Sequence, residues 1–224
     1  MSGTDDQALS ISLQRFFPEA RILAAAGDIQ VTECVDNPWQ CGPGNLLAVG
    51  LDGMPAEESA ARGIAAGASA IVTDQLLPLP IPQCIVPDVR TAYAQIISAL
   101  ADHPCEKVLS IGVFGAAGKT TTALLATTLL KQAGMRVAYN SDLGCSDGIV
   151  QSVPTQRLQG AASLTQWHQD AADAQCHAAV VEISADLLES QQLEGTTFDV
   201  LILTSDPKIA SSASTQELYH EAVG

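Results

Sequence analysis

Basic residues are scarce in this chain of 224. Ten Lys and Arg stand against 25 Asp and Glu, a formal net charge of −15. Nucleic-acid affinity comes mainly from neutralising phosphates with Lys and Arg, so this balance argues against a nucleic-acid binder. It leaves room for a small anionic ligand, because backbone N–H groups bind phosphate locally whatever the net charge. No apolar run approaches the length of a membrane span. The polar, acidic start MSGTDDQALS lacks the basic and apolar regions of a secretory signal. A cytoplasmic chain away from membranes is expected. The six cysteines, Cys34, Cys41, Cys84, Cys105, Cys145 and Cys176, include no C-x-x-C pair. That spacing gives no metal site and predicts free, mostly buried thiols in a reducing compartment. His103, His168, His177 and His220 are scattered, and each is expected at the surface or at a helix end. What is abundant is apolar: 47% hydrophobic residues with 16% charged. That excludes a disordered chain and provides for one large or two small domains.

Apolar, β-branched runs alternate with Ala-rich stretches. Strands are predicted at 45–50, 69–74 and 84–89, a helix at 56–68 ending in glycine, and a proline-rich connection at 76–83. Tyr93, Ile96, Ile97 and Leu100 share helical spacing, predicting a helix over 90–103 that Pro104 stops. Beyond it the pattern predicts a strand at 108–113, a glycine loop, a helix from Lys119 to Ala133 and a strand at 135–140. A Gly/Ser/Gln-rich loop follows at 141–160, then a helix at 164–177 and buried strands at 178–184 and 198–206. Such alternation argues for βαβ units and parallel sheets. The predicted architecture is α/β: a small N-terminal domain over 1–106, then a phosphate-loop parallel-sheet domain over 107–224.

The strict pattern G-x-x-x-x-G-K-[ST] fails, because Val113 occupies its first position. A shorter form is present as Gly115-Ala116-Ala117-Gly118-Lys119-Thr120-Thr121, between a predicted strand and a predicted helix. That context suits phosphate binding. Glycines let the backbone turn its N–H groups onto phosphate oxygens, and the helix adds its positive N-terminal end. Lys119 can reach the outer phosphates, and a hydroxyl of Thr120 or Thr121 can hold Mg²⁺. Downstream, AAVVEIS carries one acid, Glu182, at the end of an apolar strand. Ligands of open α/β sheets lie at the carboxyl ends of strands, so Glu182 is a candidate second Mg²⁺ ligand.

These residues resemble a known family. IGVFGAAGKTTTALLATTLLKQAG is similar to the ATP loop of the Mur ligases, usually G-T-N-G-K-T-T. VVEISADLLESQQLEGTTFDVLILTSD resembles their E-V-S-S-H-x-L followed by F-D-x-x-x-F-T-N. GNLLAVGLDGMPAEESAARGIAAGASAIVTD looks like the N-terminal domain of the MurE-type branch, which adds the third residue of the peptidoglycan stem peptide. The resemblance implies an ATP- and Mg²⁺-dependent ligase joining an amino acid to a UDP-muramyl peptide through an acyl phosphate, working as a monomer. Lys119 and Glu182 would be catalytic. Gly115, Ala116, Ala117, Gly118, Lys119, Thr120 and Thr121 would hold ATP, and Thr120, Glu182 and Asp186 would hold the metal.

Several positions depart from the family pattern. Ala117 replaces the loop asparagine, Asp186 the histidine and Ser205 the asparagine of T-N. Val223 falls where a modified lysine is usual, and Val35-Asp36-Asn37 replaces Asp-Ser-Arg, the family motif that contacts the UDP part, without its arginine. The D-H-x-D-x-H stretch is not recognisable, and the rest of the central domain and the amino-acid-binding third domain lie outside these 224 residues. This stretch alone is therefore expected to be inactive. An alternative is a degenerate Mur-like protein that keeps the fold and nucleotide binding. A different P-loop enzyme, such as a small-molecule kinase or an ATPase, would leave the first α/β unit unexplained.

Overall fold

A computed structural model describes residues 9–24, 27–152, 158, 160–184, 187 and 193–205. The chain divides into two compact units, Met1–Asp102 and His103–Gly224. No helix among the described residues is long and apolar enough to cross a membrane.

The first unit begins with β1 (Ile11–Ser12), α1 (Leu13–Phe16), β2 (Arg21–Leu23), β3 (Gln30–Val31) and β4 (Cys34–Val35). It continues through β5 (Leu46–Ala48), α2 (Ala56–Ala66), β6 (Ala70–Thr73), β7 (Gln83–Ile85) and α3 (Val89–Leu100). Its main sheet runs β2-β7-β6-β5-β4, parallel except for β2, and β1 pairs with β3 in a separate antiparallel ribbon. Leu47, Ala60, Ile71 and Leu77 form one core cluster, with α2 packed on the strands. Asp52, in the Asp-Gly turn before α2, accepts from the Met54 N–H at 3.0 Å and the Ser59 hydroxyl at 2.8 Å. Two boundaries differ from the sequence expectation. The Asp88 carboxylate caps the Thr91 N–H at 2.9 Å, so α3 already starts at Val89 and the preceding strand ends at Ile85. Asp102 and His103 then take left-handed backbone angles, ending α3 before Pro104, which opens a short 3-10 turn at Pro104–Lys107.

The second unit contains β8 (Leu109–Phe114), α4 (Lys119–Gln132), β9 (Val137–Ser141), β10 (Gly144–Ser146) and β11 (Gln151–Ser152). It continues with α5 (Ala161–Asp173), β12 (Ala178–Glu182) and β13 (Val200–Leu203). The sheet order is β11-β10-β9-β12-β8-β13, with β9, β12, β8 and β13 parallel. The period-two geometry of a strand explains the unbroken apolar run in β12. Ala178 and Val180 join the cluster containing Ala123 of α4, while Ala179 and Val181 join the cluster containing Leu164 and Trp167 of α5. Both faces are covered, as a central parallel strand requires.

Two expectations are corrected here. Residues 141–160 are not one loop, because Cys145 pairs with both Asn140 and Ser152 in an antiparallel extension of the sheet. His168 is neither at the surface nor at a helix end but fully buried inside α5. The cysteines are free thiols, with Cys34, Cys84, Cys105 and Cys176 buried and Cys41 and Cys145 half-buried.

Candidate functional site

The site lies at the carboxyl ends of the parallel strands of the second unit. Val113 of β8 is in register with Glu182 of β12, and Phe114 with Leu203 of β13. The chain leaves β8 at Phe114, turns through Gly115–Gly118 and enters α4 at Lys119. The turn depends on two backbone angles that only glycine adopts readily: φ is +149° at Gly115 and +80° at Gly118. Gly115 also has no room for a side chain, since a Cβ there would stand 2.2 Å from Thr204 Oγ1.

Gly118 is the N-cap of α4 and contributes no side chain, and the first turn holds no acid. The N–H groups of Gly118, Lys119 and Thr120 have no hydrogen-bond partner among the described residues. A 14-residue helix thus presents its positive end with open donors. Lys119 is half-buried and makes no ion pair with a described residue.

Glu182 is 6% exposed, which would be costly for a carboxylate without partners. Its two oxygens are both engaged. The Thr120 hydroxyl donates to Oε1 at 2.7 Å, and the Asp142 N–H donates to Oε2 at 3.0 Å. The structure therefore brings together Thr120 and Glu182, 62 residues apart, beneath the loop. Thr121, on the same turn, is exposed, as are Ala116, Ala117 and Gly118. Asp186 and Val223 lie outside the described residues. No group of three or more His, Cys, Asp or Glu suited to a metal is present among the described residues. A cation here would have to draw its remaining ligands from elsewhere.

Thr204 and Ser205, just beyond β13, form a third wall that the motif did not announce. Ser205 Oγ accepts from the Ala116 N–H at 2.7 Å, and Thr204 Oγ1 donates to the Ala117 carbonyl at 2.7 Å. The signal available was a Thr-Ser pair closing an apolar strand, the position from which a sheet of this kind addresses its ligand. In the first unit, Asn37 stands where the resemblance places an arginine. Its side chain turns back to accept from the Trp39 N–H at 3.0 Å, capping the turn Pro38–Gln40.

The Mur ligase middle domain family matches residues 113–205, from the end of β8 to the Thr204–Ser205 wall. The chain belongs to the Mur ligase family. A UDP-N-acetylmuramoyl-L-alanyl-D-glutamate–2,6-diaminopimelate ligase of Chlorobaculum tepidum is 32% identical over 187 residues, covering 80% of this chain and 36% of the relative. A UDP-N-acetylmuramyl-tripeptide synthetase of Deinococcus radiodurans is 31% identical over 187 residues, covering 79% and 38%. A solved diaminopimelate ligase superposes with a TM-score of 0.72 at 21% identity, over 96% of this chain and 44% of the other. A MurF ligase of Thermotoga maritima, solved in complex with ADP, superposes at 0.50 with 17% identity, over 84% and 41%. The two structural matches support the shared fold. This Mur ligase chain thus spans between a third and two fifths of the length of these curated relatives.

Proposed function

We propose that this chain carries the nucleotide-binding part of an ATP-dependent amide-bond ligase of the Mur type, acting in the cytoplasm on peptidoglycan precursors. The substrates would be a UDP-muramyl peptide and an amino acid, by analogy with what the named relatives act on. The observation that carries the reading is the Thr120–Glu182 bond under a loop of open N–H groups. The residues present fit Mg²⁺ with a nucleotide. An octahedral Mg²⁺ with oxygens at 2.0–2.1 Å holds neighbouring ligands about 2.9 Å apart. The Thr120 hydroxyl and Glu182 carboxylate oxygens, 2.7 Å apart, are close to that spacing. Mg²⁺ is commonly held by one or two carboxylates together with substrate phosphates, which suits a site with few acids.

In this reading Gly115–Thr121 cradle the phosphates and Lys119 neutralises charge on the outer ones. Thr120 and Glu182 hold the metal, with Asp186 a further oxygen donor. Bound Mg-ATP would supply an electrophilic phosphoryl group. Glu182 is held in place by the Asp142 N–H, so its carboxylate need not reorganise when the cation arrives. The first unit, by resemblance, would receive the UDP part. The exposed methyl of Ala117 favours the second reading, a Mur-like protein that keeps nucleotide binding without ligation.

Calorimetric titration with Mg-ATP and Mg-ADP tests the proposal, alongside Lys119→Ala. Saturable binding that the alanine change abolishes is the expected result. A folded chain that binds neither nucleotide, or binds them equally well without Lys119, would overturn it.

A further inference from the structure

We propose that Thr204 and Ser205 are positioning residues of the phosphate loop, fixing the direction of its peptide planes before any ligand arrives. The proposal rests on the nucleotide reading above. Its physical basis is the planarity of the peptide unit. In a trans peptide the carbonyl and the following N–H point in opposite directions, so holding one end aims the other. No cis peptide occurs among the described residues.

The two side chains hold alternate peptide units of the loop, Gly115–Ala116 and Ala117–Gly118. Thr204 Oγ1 donates to the Ala117 carbonyl at 2.7 Å, which turns the Gly118 N–H away from β13. Ser205 Oγ accepts the Ala116 N–H at 2.7 Å, which turns the Gly115 carbonyl away from Ser205. The Phe114 carbonyl accepts from the Thr204 N–H at 2.9 Å and lies 3.2 Å from its hydroxyl. The loop's N–H groups consequently fall into two classes. Ala116 is satisfied internally, whereas Gly118, Lys119 and Thr120 are left open. Without the Thr204 hydroxyl, the Ala117–Gly118 peptide could rotate, and its N–H would have to be ordered again on binding. Gly115 completes the arrangement, because its missing Cβ is what lets the two hydroxyls approach.

The test uses Mg-ADP as probe on the whole chain, with Thr204→Val, Thr204→Ser and Ser205→Ala. Valine keeps the shape but loses the donor, while serine keeps the donor. Thr204→Val should weaken Mg-ADP about five- to tenfold, the worth of one hydrogen bond that preorganises the site. Thr204→Ser should stay within about twofold of the wild type. Amide hydrogen exchange without ligand gives an independent reading: the Ala116 amide is protected in the wild type and exchanges faster in Ser205→Ala. Wild-type affinity in Thr204→Val overturns the proposal, and so does equal weakening by valine and serine. If the wild type does not bind, or Lys119→Ala binds as well as it does, the nucleotide reading fails and exchange alone decides. An Ala116 amide equally fast in wild type and Ser205→Ala then overturns the positioning role.

Discussion

Acidification should destabilise the second unit through His168, before the carboxylates titrate. The ring is 0% exposed and packs edge-on against Trp167 with centroids 4.9 Å apart. Its Nδ1 lies 3.0 Å from the Leu164 carbonyl and its Nε2 3.4 Å from Ser110 Oγ. The carbonyl can only accept, so Nδ1 carries the proton and Nε2 accepts from the serine. A second ring proton would need the Ser110 hydroxyl to turn from donor to acceptor, and it would leave a buried charge with no counter-ion beside it in its two contacts. Burial pushes the His168 pKa down to about 4, partly opposed by the bond to Leu164. The unfolded chain binds this proton at about 6.5. Below that value the unfolded state holds more protons than the folded one, so stability falls as pH falls. At about 1.36 kcal/mol per unit, the loss is about 2 kcal/mol by pH 5 and about 3 kcal/mol by pH 4. Urea unfolding followed by circular dichroism at pH 7, 6 and 5 reads it, with His168→Gln as the control that cancels every other group. Identical pH dependence in the two proteins would refute the reasoning. If the glutamine variant does not fold, the imidazole can be followed by NMR. A His168 ring that titrates near 6.5 in the native protein would refute it equally.

Two further perturbations test the packing. Gly115→Ala places a methyl 2.2 Å from Thr204 Oγ1 and 3.0 Å from Ser205 Oγ, at a backbone angle that disfavours alanine. It should cost about 1–3 kcal/mol of nucleotide affinity, read by Mg-ADP titration, and unchanged binding would show that the loop does not need this wall. In the first unit, Gly63→Ala points a methyl 2.4 Å from Leu47 Cδ2, a side chain that is fully buried. Thermal unfolding should show a loss of about 1–3 kcal/mol, and an unchanged melting temperature would mean that β5 yields freely to α2.

The loop was legible because its chemistry is local. Gly115, Gly118, Lys119 and Thr120 lie within six residues, between an apolar strand and an Ala/Leu/Thr helix, and the two glycines take the positive φ that the turn requires. The place of Glu182 was legible because it closes an apolar run that could only be a buried strand. The β10–β11 extension was hidden, since Cys145 and Ser146 are strand by virtue of their pairing with Asn140 and Tyr139 on one side and Ser152 and Gln151 on the other. The resemblance marked Thr204–Ser205 as the family's T-N pair, but their contact with the loop was hidden, because the partners lie 87 and 89 residues earlier in the chain. His168 was readable and was misread. Leu164, Trp167, His168 and Ala171 follow the i, i+3, i+4, i+7 spacing of one helix face, and all four are buried. Periodicity outweighs polarity at this position, because a ring with a carbonyl and a hydroxyl beside it can be buried at modest cost.

The departures from the family pattern separate binding from ligation. Ala117 removes a polar side chain, yet what the loop offers a phosphate is mainly backbone, and the backbone at 117 is set by Thr204 rather than by the residue's own side chain. Ser205 likewise changes the residue but still accepts from the Ala116 N–H. The substitutions within the described part of the site therefore leave its N–H donors and the Thr120–Glu182 pair in place, the features to which the proposed function assigns nucleotide affinity. Those at Asp186 and Val223 fall where the resemblance places a histidine and a modified lysine. On these grounds nucleotide binding and ligation need not fail together. A Mur-like chain with the first and without the second would give a saturable Mg-ATP titration sensitive to Lys119→Ala. Its full-length gene product would form no amide bond with any muramyl peptide and amino acid. Ligation by that product would instead remove the degenerate reading.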